Sequence, residues 1–129
     1  MLAITYVLAI LALVAPALGR VYNMTAPATG TQGTNITAVL YSESYIQNWD
    51  DFGVIWGLEN PEHTCGTCVG NELSYNNLYG TPYTHNSSFS VPIPDGFNGT
   101  WYLVAAMPYL VGASGETGIR YFNTSIVVS

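Results

Sequence analysis

Short alternations of apolar and polar residues recur along the chain after residue 20, and none of them has helical spacing. The clearest lies at residues 52–58, where Phe52, Val54 and Trp56 alternate with small or β-branched residues. A period of two is typical of a β-strand and places all three large side chains on one face. Because two-sheet sandwiches bury a tryptophan on a central strand, the run predicts the middle strand of such a sandwich.

Six further runs share this alternation and are separated by segments rich in Gly, Pro, Asn and Thr. They are residues 21–25, 35–41, 72–79, 87–92, 101–107 and 119–128. In the runs that contain Asn35 and Asn123, the positions that alternate with these asparagines are mostly apolar. Their side chains should therefore face the core. Pro92 predicts that its run is an edge strand. About seven short strands with turns between them predict an all-β fold, a small Ig-like antiparallel β-sandwich.

Two local patterns lead to more detailed predictions. Residues 48–51 should form the turn before the central strand, because Asn and Asp bond their own backbone in turns. Residues 99–106 resemble the tyrosine corner of Ig-like sandwiches, in which Tyr102 would bond upstream backbone while Val104 and Ala106 point inward. The opposite parity would then be an apolar outer face, which either another segment covers in whole or in part or a partner binds, and we expect the first. It comprises Trp101, Leu103, Ala105 and Met107.

The first residues have the pattern of a secretory signal peptide. Residues 7–15 are an unbroken apolar run, which Pro16 ends and the small residues Ala17 and Gly19 follow. This pattern predicts cleavage after Gly19, and the run is too short for a membrane anchor. We therefore expect residues 1–19 to be removed and residues 20–129 to form a single β-sandwich domain that is secreted into the extracellular space.

The sequons and the net charge limit the kinds of partner that the protein can have. Five N-x-S/T sequons predict N-glycosylation of Asn23, Asn35, Asn86, Asn98 and Asn123. The chain has two basic residues, both arginine, against eight acidic ones, and a net charge of −6. No basic face for nucleic acid can be built from two cations, and attraction to anionic lipid is disfavoured for the same reason. We expect neither nucleic acid nor membrane as a partner.

The only two cysteines, Cys65 and Cys68, are close together in the chain. In a secreted protein this spacing predicts a local disulfide that shapes a loop. A thioredoxin-type dithiol would need a strand followed by a helix, and no helix is predicted. A Cys₂His₂ zinc site with His63 and His85 would need free thiolates, which an oxidising compartment disfavours. We expect no metal and no other cofactor.

No grouping of residues has the pattern of an active site. Adjacent Asp50 and Asp51 would point apart on an extended segment and so make a poor acid–base pair. The glycine-rich residues 112–118 lack the lysine and the following helix of a phosphate-binding loop. Neither a Ser-His-Asp order nor a nucleophile elbow occurs. We therefore predict no catalytic residue and no enzymatic activity.

Aromatic residues are the strongest candidates for binding. The chain has ten tyrosines and three tryptophans, and these residue types are enriched in protein interfaces. Those in or near predicted loops are Tyr45, Trp49, Tyr75, Tyr79, Tyr83 and Tyr109. Aromatic loops also stack on sugars, so a secreted carbohydrate- or cell-wall-binding module is the alternative. Coplanar exposed rings in a groove would favour the module, and isolated or buried rings would count against it.

Four blocks of sequence together resemble a known family. They are YIQNWDDFGVIWG at residues 45–57, CVG at 68–70, NLYG at 77–80 and PYLVGASGE at 108–116. The blocks are similar to the necrosis-inducing secreted protein family of fungal effectors. The resemblance implies a small secreted protein without known catalysis that binds plant receptor-associated kinases, suppresses pattern-triggered immunity and can cause host cell death. Because kinase domains are cytosolic, that role would require entry into the host cell.

The predicted contact segments with a host protein are residues 45–51, which begin the first block, and residues 108–116, which are the last block. Their low strand character and their aromatic residues motivate this choice. The candidate partner-binding residues are Tyr45, Gln47, Trp49, Asp50, Asp51, Tyr109 and Glu116. The two segments form one surface if they lie at the same end of the sandwich. Opposite ends, or buried side chains, would count against the site.

Overall fold

The computed structural model describes residues 19–45, 48–81 and 84–129, and in these ranges every regular element is a β-strand. The strands are β1 (Gly19–Thr25), β2 (Thr29–Gly30), β3 (Thr34–Ser44), β4 (Trp49–Asp51), β5 (Gly53–Glu59), β6 (Asn71–Asn77), β7 (Asn86–Ile93), β8 (Gly99–Val111) and β9 (Glu116–Val128). The all-β prediction is confirmed. The very short β2 and β4 account for the difference from seven strands. No helix in these ranges is long and apolar enough to cross a membrane.

The strands form two sheets packed face to face. The small sheet has the order β1-β3-β7, and the large sheet has the order β2-β9-β8-β5-β6 with β4 pairing the far end of β8. All pairs are antiparallel except the short β2–β9 pair. Without β2 and β4, this is strand order A-B-E against C′-C-F-G, an Ig-like Greek key. The Ig-like sandwich is thus confirmed, with β7 at an edge as Pro92 predicts.

The core lies between the sheets and is centred on Trp56. This side chain has no exposed surface, and its Nε1 donates a hydrogen bond to Asn76 Oδ1 at 2.9 Å. Apolar residues from both sheets form the core with it: Ile36, Ala38, Leu40, Val54, Leu58, Val91, Ile93, Leu103, Met107, Ile126 and Val128. The alternation in the sequence predicts those of β3, β5 and β9. Asn35 and Asn123 are exposed on the opposite parities, as predicted.

The segment before the central strand differs from its prediction. Trp49–Asp51 is the strand β4 rather than a turn, because β8 extends beyond the core and offers its edge to this backbone. Phe52 lies between β4 and β5 instead of in a strand. Its half-buried ring stacks on Tyr79 with centroids 5.1 Å apart, so the prediction that it points into the core is wrong.

The side chains of β8 also face the opposite way from the prediction. Ala105 lies directly opposite Trp56, and directly opposite residues share a face. Leu103, Ala105 and Met107 therefore belong to the core, while Val104 and Ala106 lie on the outer face. Tyr102 is on that outer face, and its hydroxyl makes no hydrogen bond to any described residue, so the tyrosine-corner prediction is wrong.

A loop at residues 60–70 covers part of the outer face of the large sheet. It contains the Cys65–Cys68 disulfide, as predicted. The Cys65 amide donates to the buried Glu59 carboxylate at 2.6 Å, and Tyr121 Oη donates to the Thr67 carbonyl at 3.1 Å. These bonds hold the loop against the sheet beside Val104, which explains how an apolar outer residue is buried.

Gly57 is a point of close approach between this loop and β5. A Cβ at Gly57 would collide with the Val69 carbonyl oxygen, whereas a Cβ at Gly66 would meet no atom within 4 Å. We therefore expect Gly57→Ala to displace the loop and lower the free energy of unfolding by about 1–3 kcal/mol. Gly66→Ala should change it by less than about 0.5 kcal/mol. Urea denaturation measures both, and equal stability of the two variants would contradict this packing.

Candidate partner-binding surface

The two predicted contact segments meet at one end of the sandwich. In the β4–β8 pairing, Trp49 lies opposite Val111 and Asp51 lies opposite Tyr109. Val111 in turn lies opposite Glu116 of β9. The Gly112 amide also donates to the Asn48 carbonyl at 2.8 Å. We call this surface the Trp49 end; it consists of Tyr45, residues 48–51, 108–116 and the arginines Arg20 and Arg120.

Trp49 is the centre of this end rather than an exposed ring. Its side chain is 6% exposed, and this burial counts against Trp49 itself as a contact residue. The indole stacks on the Tyr109 ring, with centroids 4.4 Å apart and planes 15° apart. Tyr45 meets it edge-on at 5.3 Å. Tyr109 itself lies across Gly118, where a Cβ would overlap the phenol ring. The rings therefore form one packed cluster whose outer members remain half-buried.

Both arginines of the chain pack on this cluster. The Arg20 guanidinium carbon is 4.3 Å from the Trp49 ring centroid and 4.8 Å from that of Tyr45. The Arg120 carbon is 5.5 Å from the Trp49 centroid and 5.0 Å from that of Phe122. A cation over an aromatic face gains about 0.5–2 kcal/mol, with more gained as water is excluded. The only basic side chains of a chain with net charge −6 are thus gathered at one end.

Asp51 connects the cluster to β1. Its carboxylate accepts hydrogen bonds from Trp49 Nε1 at 2.9 Å and from the Val21 amide at 3.1 Å. Arg120 Nη1 donates to the Val21 carbonyl. Burial raises the pKa of Asp51 above its usual 3.8, although both hydrogen bonds and both arginines oppose the shift. Burial, and then the charge of Arg20, lower the pKa of Arg120. The network ties β1, β4 and β9 together.

The raised pKa of Asp51 predicts a pH dependence of stability. At pH values between 3.8, the usual pKa, and the pKa in the folded protein, Asp51 binds more protons in the folded than in the unfolded protein. The contribution of Asp51 to stability is therefore fully present below pH 3.8 and is lost as the pH rises through the pKa of Asp51 in the folded protein. Asp51→Asn should lack this term, so its stability relative to the unchanged protein should rise with pH across that window. Urea denaturation at several pH values measures the difference, and a pH-independent or falling difference would contradict the assignment.

The remaining candidate residues are placed as follows. Asp50 is half-buried on the outer face opposite Leu110, and Glu116 is exposed. Gln47 and Tyr83 lie outside the described residues. Sequence reasoning missed the roles of Arg20 and Arg120, although their being the only basic residues was available as a signal. It also placed the contact segments in loops, whereas residues 108–111 continue β8 and Glu116 begins β9.

The five sequons leave the Trp49 end free. All five asparagines are exposed. Asn23 and Asn86 lie in one row on either side of Tyr41, on the outer face of the small sheet, and Asn35 lies on the same face. Asn98 precedes β8 at the opposite end of the molecule, and Asn123 lies beside the disulfide loop. Glycans at these positions would cover other faces, so the Trp49 end would remain accessible.

A polar depression with a volume of about 430 Å³ lies on the outer face at the disulfide loop. It is lined by Glu59, Pro61, Thr64, Cys65, Gly66, Tyr102 and Asn123. Its only carboxylate, Glu59, already accepts the Cys65 amide. Both cysteine sulfurs are in the disulfide, so the thiolates that a zinc site would need are oxidised. In the described part of the chain, no three His, Cys, Asp or Glu side chains gather where they could hold a metal.

The fold and this surface define a small Ig-like β-sandwich protein with an aromatic and cationic end. The Nis1 family model matches residues 17–127 of the chain. A relative from Colletotrichum higginsianum (strain IMI 349063), "Necrosis-inducing secreted protein 1", is 30% identical over 114 residues, which cover 84% of this chain and 78% of the relative. The chain belongs to the Nis1 family. This confirms the resemblance to necrosis-inducing secreted proteins, and the matched residues include the disulfide and both contact segments.

Proposed function

We propose that the protein is a secreted effector that binds a host protein through the Trp49 end and performs no catalysis. The observation that carries this proposal is that the two longest blocks of the family resemblance meet there, in a cluster of Tyr, Trp and Arg side chains that no sequon occupies. These three residue types dominate binding energy in protein interfaces. The relative's name, which describes a secreted and necrosis-inducing protein, supports the biological class.

The resemblance supports a more specific partner. In this proposal the Trp49 end binds a receptor-associated kinase of the plant host, which suppresses pattern-triggered immunity and can lead to host cell death. Secretion through the signal peptide brings the protein to the extracellular space. Contact with a cytosolic kinase domain then requires entry into the host cell.

A carbohydrate-binding module is the second candidate, because Tyr75 is 53% exposed and Tyr79 is 59% exposed. Sugar-binding platforms present the faces of coplanar rings to the ligand. Trp49 is 6% exposed and packs against Tyr109 and both arginines, so its ring is not presented to a sugar. The rings of the Trp49 end therefore support protein binding, and a sugar platform would have to use Tyr75 and Tyr79 instead.

A pull-down of the secreted, glycosylated protein separates these functions. The baits are the unchanged protein, a folded variant with residues 45–51 scrambled, and a control with Tyr75→Ser and Tyr79→Ser. Each is incubated with plant extract and, in parallel, with insoluble chitin, glucan and cellulose. We expect kinase capture by the unchanged protein and the control, and none by the scrambled variant. Retention on a polysaccharide alone, lost in the control, would overturn the proposal in favour of the module.

A further inference from the structure

The Arg20 side chain packs against two rings and donates no hydrogen bond to another described residue. It is half-buried against Tyr45 and Trp49, and within the described ranges its buried Nε atom has no hydrogen-bond partner. Glu43, directly opposite on β3, forms no ion pair with it within the described ranges. Arg120, by contrast, donates to the Val21 carbonyl. The two arginines therefore differ, because Arg120 donates a hydrogen bond to the fold and the Arg20 guanidinium donates none to a described residue.

Such an arrangement suits an oxyanion. A guanidinium presents its N–H groups as a planar fork that matches the two oxygens of a carboxylate or a phosphate. A buried donor without a partner is rare in folded proteins and calls for an explanation, such as an ion that binds there. Packing against the edge-on pair of Tyr45 and Trp49 restricts the Arg20 guanidinium before any ligand arrives, which reduces the ordering cost of binding.

The charge distribution directs an anion to the same place. Arg20 and Arg120 are the only basic residues, and their charges interact across the Trp49 ring. Asp51 offsets one of them, and exposed Glu43 and Glu116 lie at the border of the surface. Among Asp, Glu, Lys and Arg, every other residue of the chain is acidic, so the rest of the surface repels an anion that Arg20 can attract.

We propose that the Trp49 end contains an oxyanion-binding site in which Arg20 is the bidentate donor and Arg120 provides supporting charge. The ligand is a carboxylate or phosphate group on the protein partner. The inference rests on the proposed function in taking the anion from that partner, and it identifies the chemistry by which the partner is recognised.

Arginine side-chain NMR tests the site directly, because the chain has only two arginines and its Nε–H spectrum therefore contains two signals. Inorganic phosphate, acetate and chloride are titrated separately into the secreted protein. We expect a saturable shift of the Arg20 signal with phosphate or acetate and not with chloride. Arg20→Gln should weaken binding at least tenfold, and Arg20→Lys should recover only part of it because the fork is lost. Glu43→Gln should strengthen binding by removing a nearby negative charge.

Two outcomes would overturn the site: an Arg20 signal that none of the anions moves, or an Arg20→Gln protein that binds them like the unchanged one. Thermal unfolding of Arg20→Gln verifies that the variant is folded. If instead Arg20→Gln unfolds, Arg20→Lys and Glu43→Gln decide, because their opposite effects on anion affinity do not depend on loss of fold.

The pull-down then separates this site from the proposed function and distinguishes the two anion sources. Capture of host protein by both the unchanged chain and Arg20→Gln would overturn the site while the proposed function stands. If the protein captures no host protein but binds phosphate at Arg20, the oxyanion site stands and the proposed function is refuted. Capture that requires Arg20 and is lost after phosphatase treatment of the extract assigns a phosphate; capture that requires Arg20 and survives it assigns a carboxylate.

Discussion

Replacing Trp56 with alanine is expected to lower the free energy of unfolding by about 3–5 kcal/mol, the usual cost of truncating a buried aromatic side chain. Trp56 is fully buried, tilts against Phe89 at 6.0 Å, and donates to Asn76 across the β5–β6 pair. Truncation removes these contacts and leaves a cavity where the two sheets meet. Because small domains have about 5–15 kcal/mol of stability in total, this loss is a large part of it.

Urea denaturation followed by circular dichroism measures this effect. Tyr22→Ala is the matched control, since Tyr22 is also a large aromatic residue on a strand but is 50% exposed. The control should cost less than about 1 kcal/mol. Trp56→Phe should fall between the two, because it keeps most of the ring volume and loses only the bond to Asn76. A Trp56→Ala protein as stable as the control would show that Trp56 is not the centre of the core.

Trp49→Ala is expected to abolish partner capture and to cost about 3–5 kcal/mol of stability as well. The indole is the common contact of Tyr109, Arg20 and Arg120, so its loss removes the stack and both cation–ring contacts at once. Asp51 also loses its indole donor while remaining largely buried. The two arginines would then no longer be held in one orientation, and the surface that the partner recognises would be lost.

Trp49→Phe separates the ring from its N–H group. It keeps an aromatic face for the cations and removes the bond to Asp51, which should cost about 1–3 kcal/mol and leave partner capture measurable. A double-mutant cycle of Trp49 and Tyr109 should give a coupling of about 0.5–1.5 kcal/mol from their stack. If Trp49→Ala stayed as stable as the unchanged protein and captured the same partner, the role assigned to this cluster would be wrong.

The sandwich was predictable because most of its long strands have one polar and one apolar parity. β3 is the clearest case, since Asn35 and the apolar Ile36 mark its two faces. The alternation in β8 predicts the wrong inner face, because the residues of both parities are apolar. Only the register of β8 with Trp56 and the cover from the disulfide loop determine which of its faces points into the core. At β4, the turn preference of Asn and Asp was overridden by pairing with the extended end of β8, which is a tertiary effect.

The candidate surface was predictable in part. Their aromatic residues and the family resemblance predict the two contact segments. That both segments lie at one end depends on the long β8–β9 hairpin. The arginines were not predictable as members of the site. Arg20 and Arg120 are one hundred positions apart in the chain, and only the packing of β1 beside β4 and β9 brings both to Trp49. Nor could alternation show that Trp49 is buried, because a three-residue strand has too few positions to reveal a pattern.

Hydrogen–deuterium exchange of the protein with its captured host partner most directly tests whether the Trp49 end is the contact surface. Amine cross-linking suits this chain poorly, because it contains no lysine. The predicted result is slower exchange on binding at residues 48–51 and 108–117, with little change in β3 and β7. Protection confined to the outer face of the small sheet or to residues 60–70 would contradict the assignment and move the binding surface there.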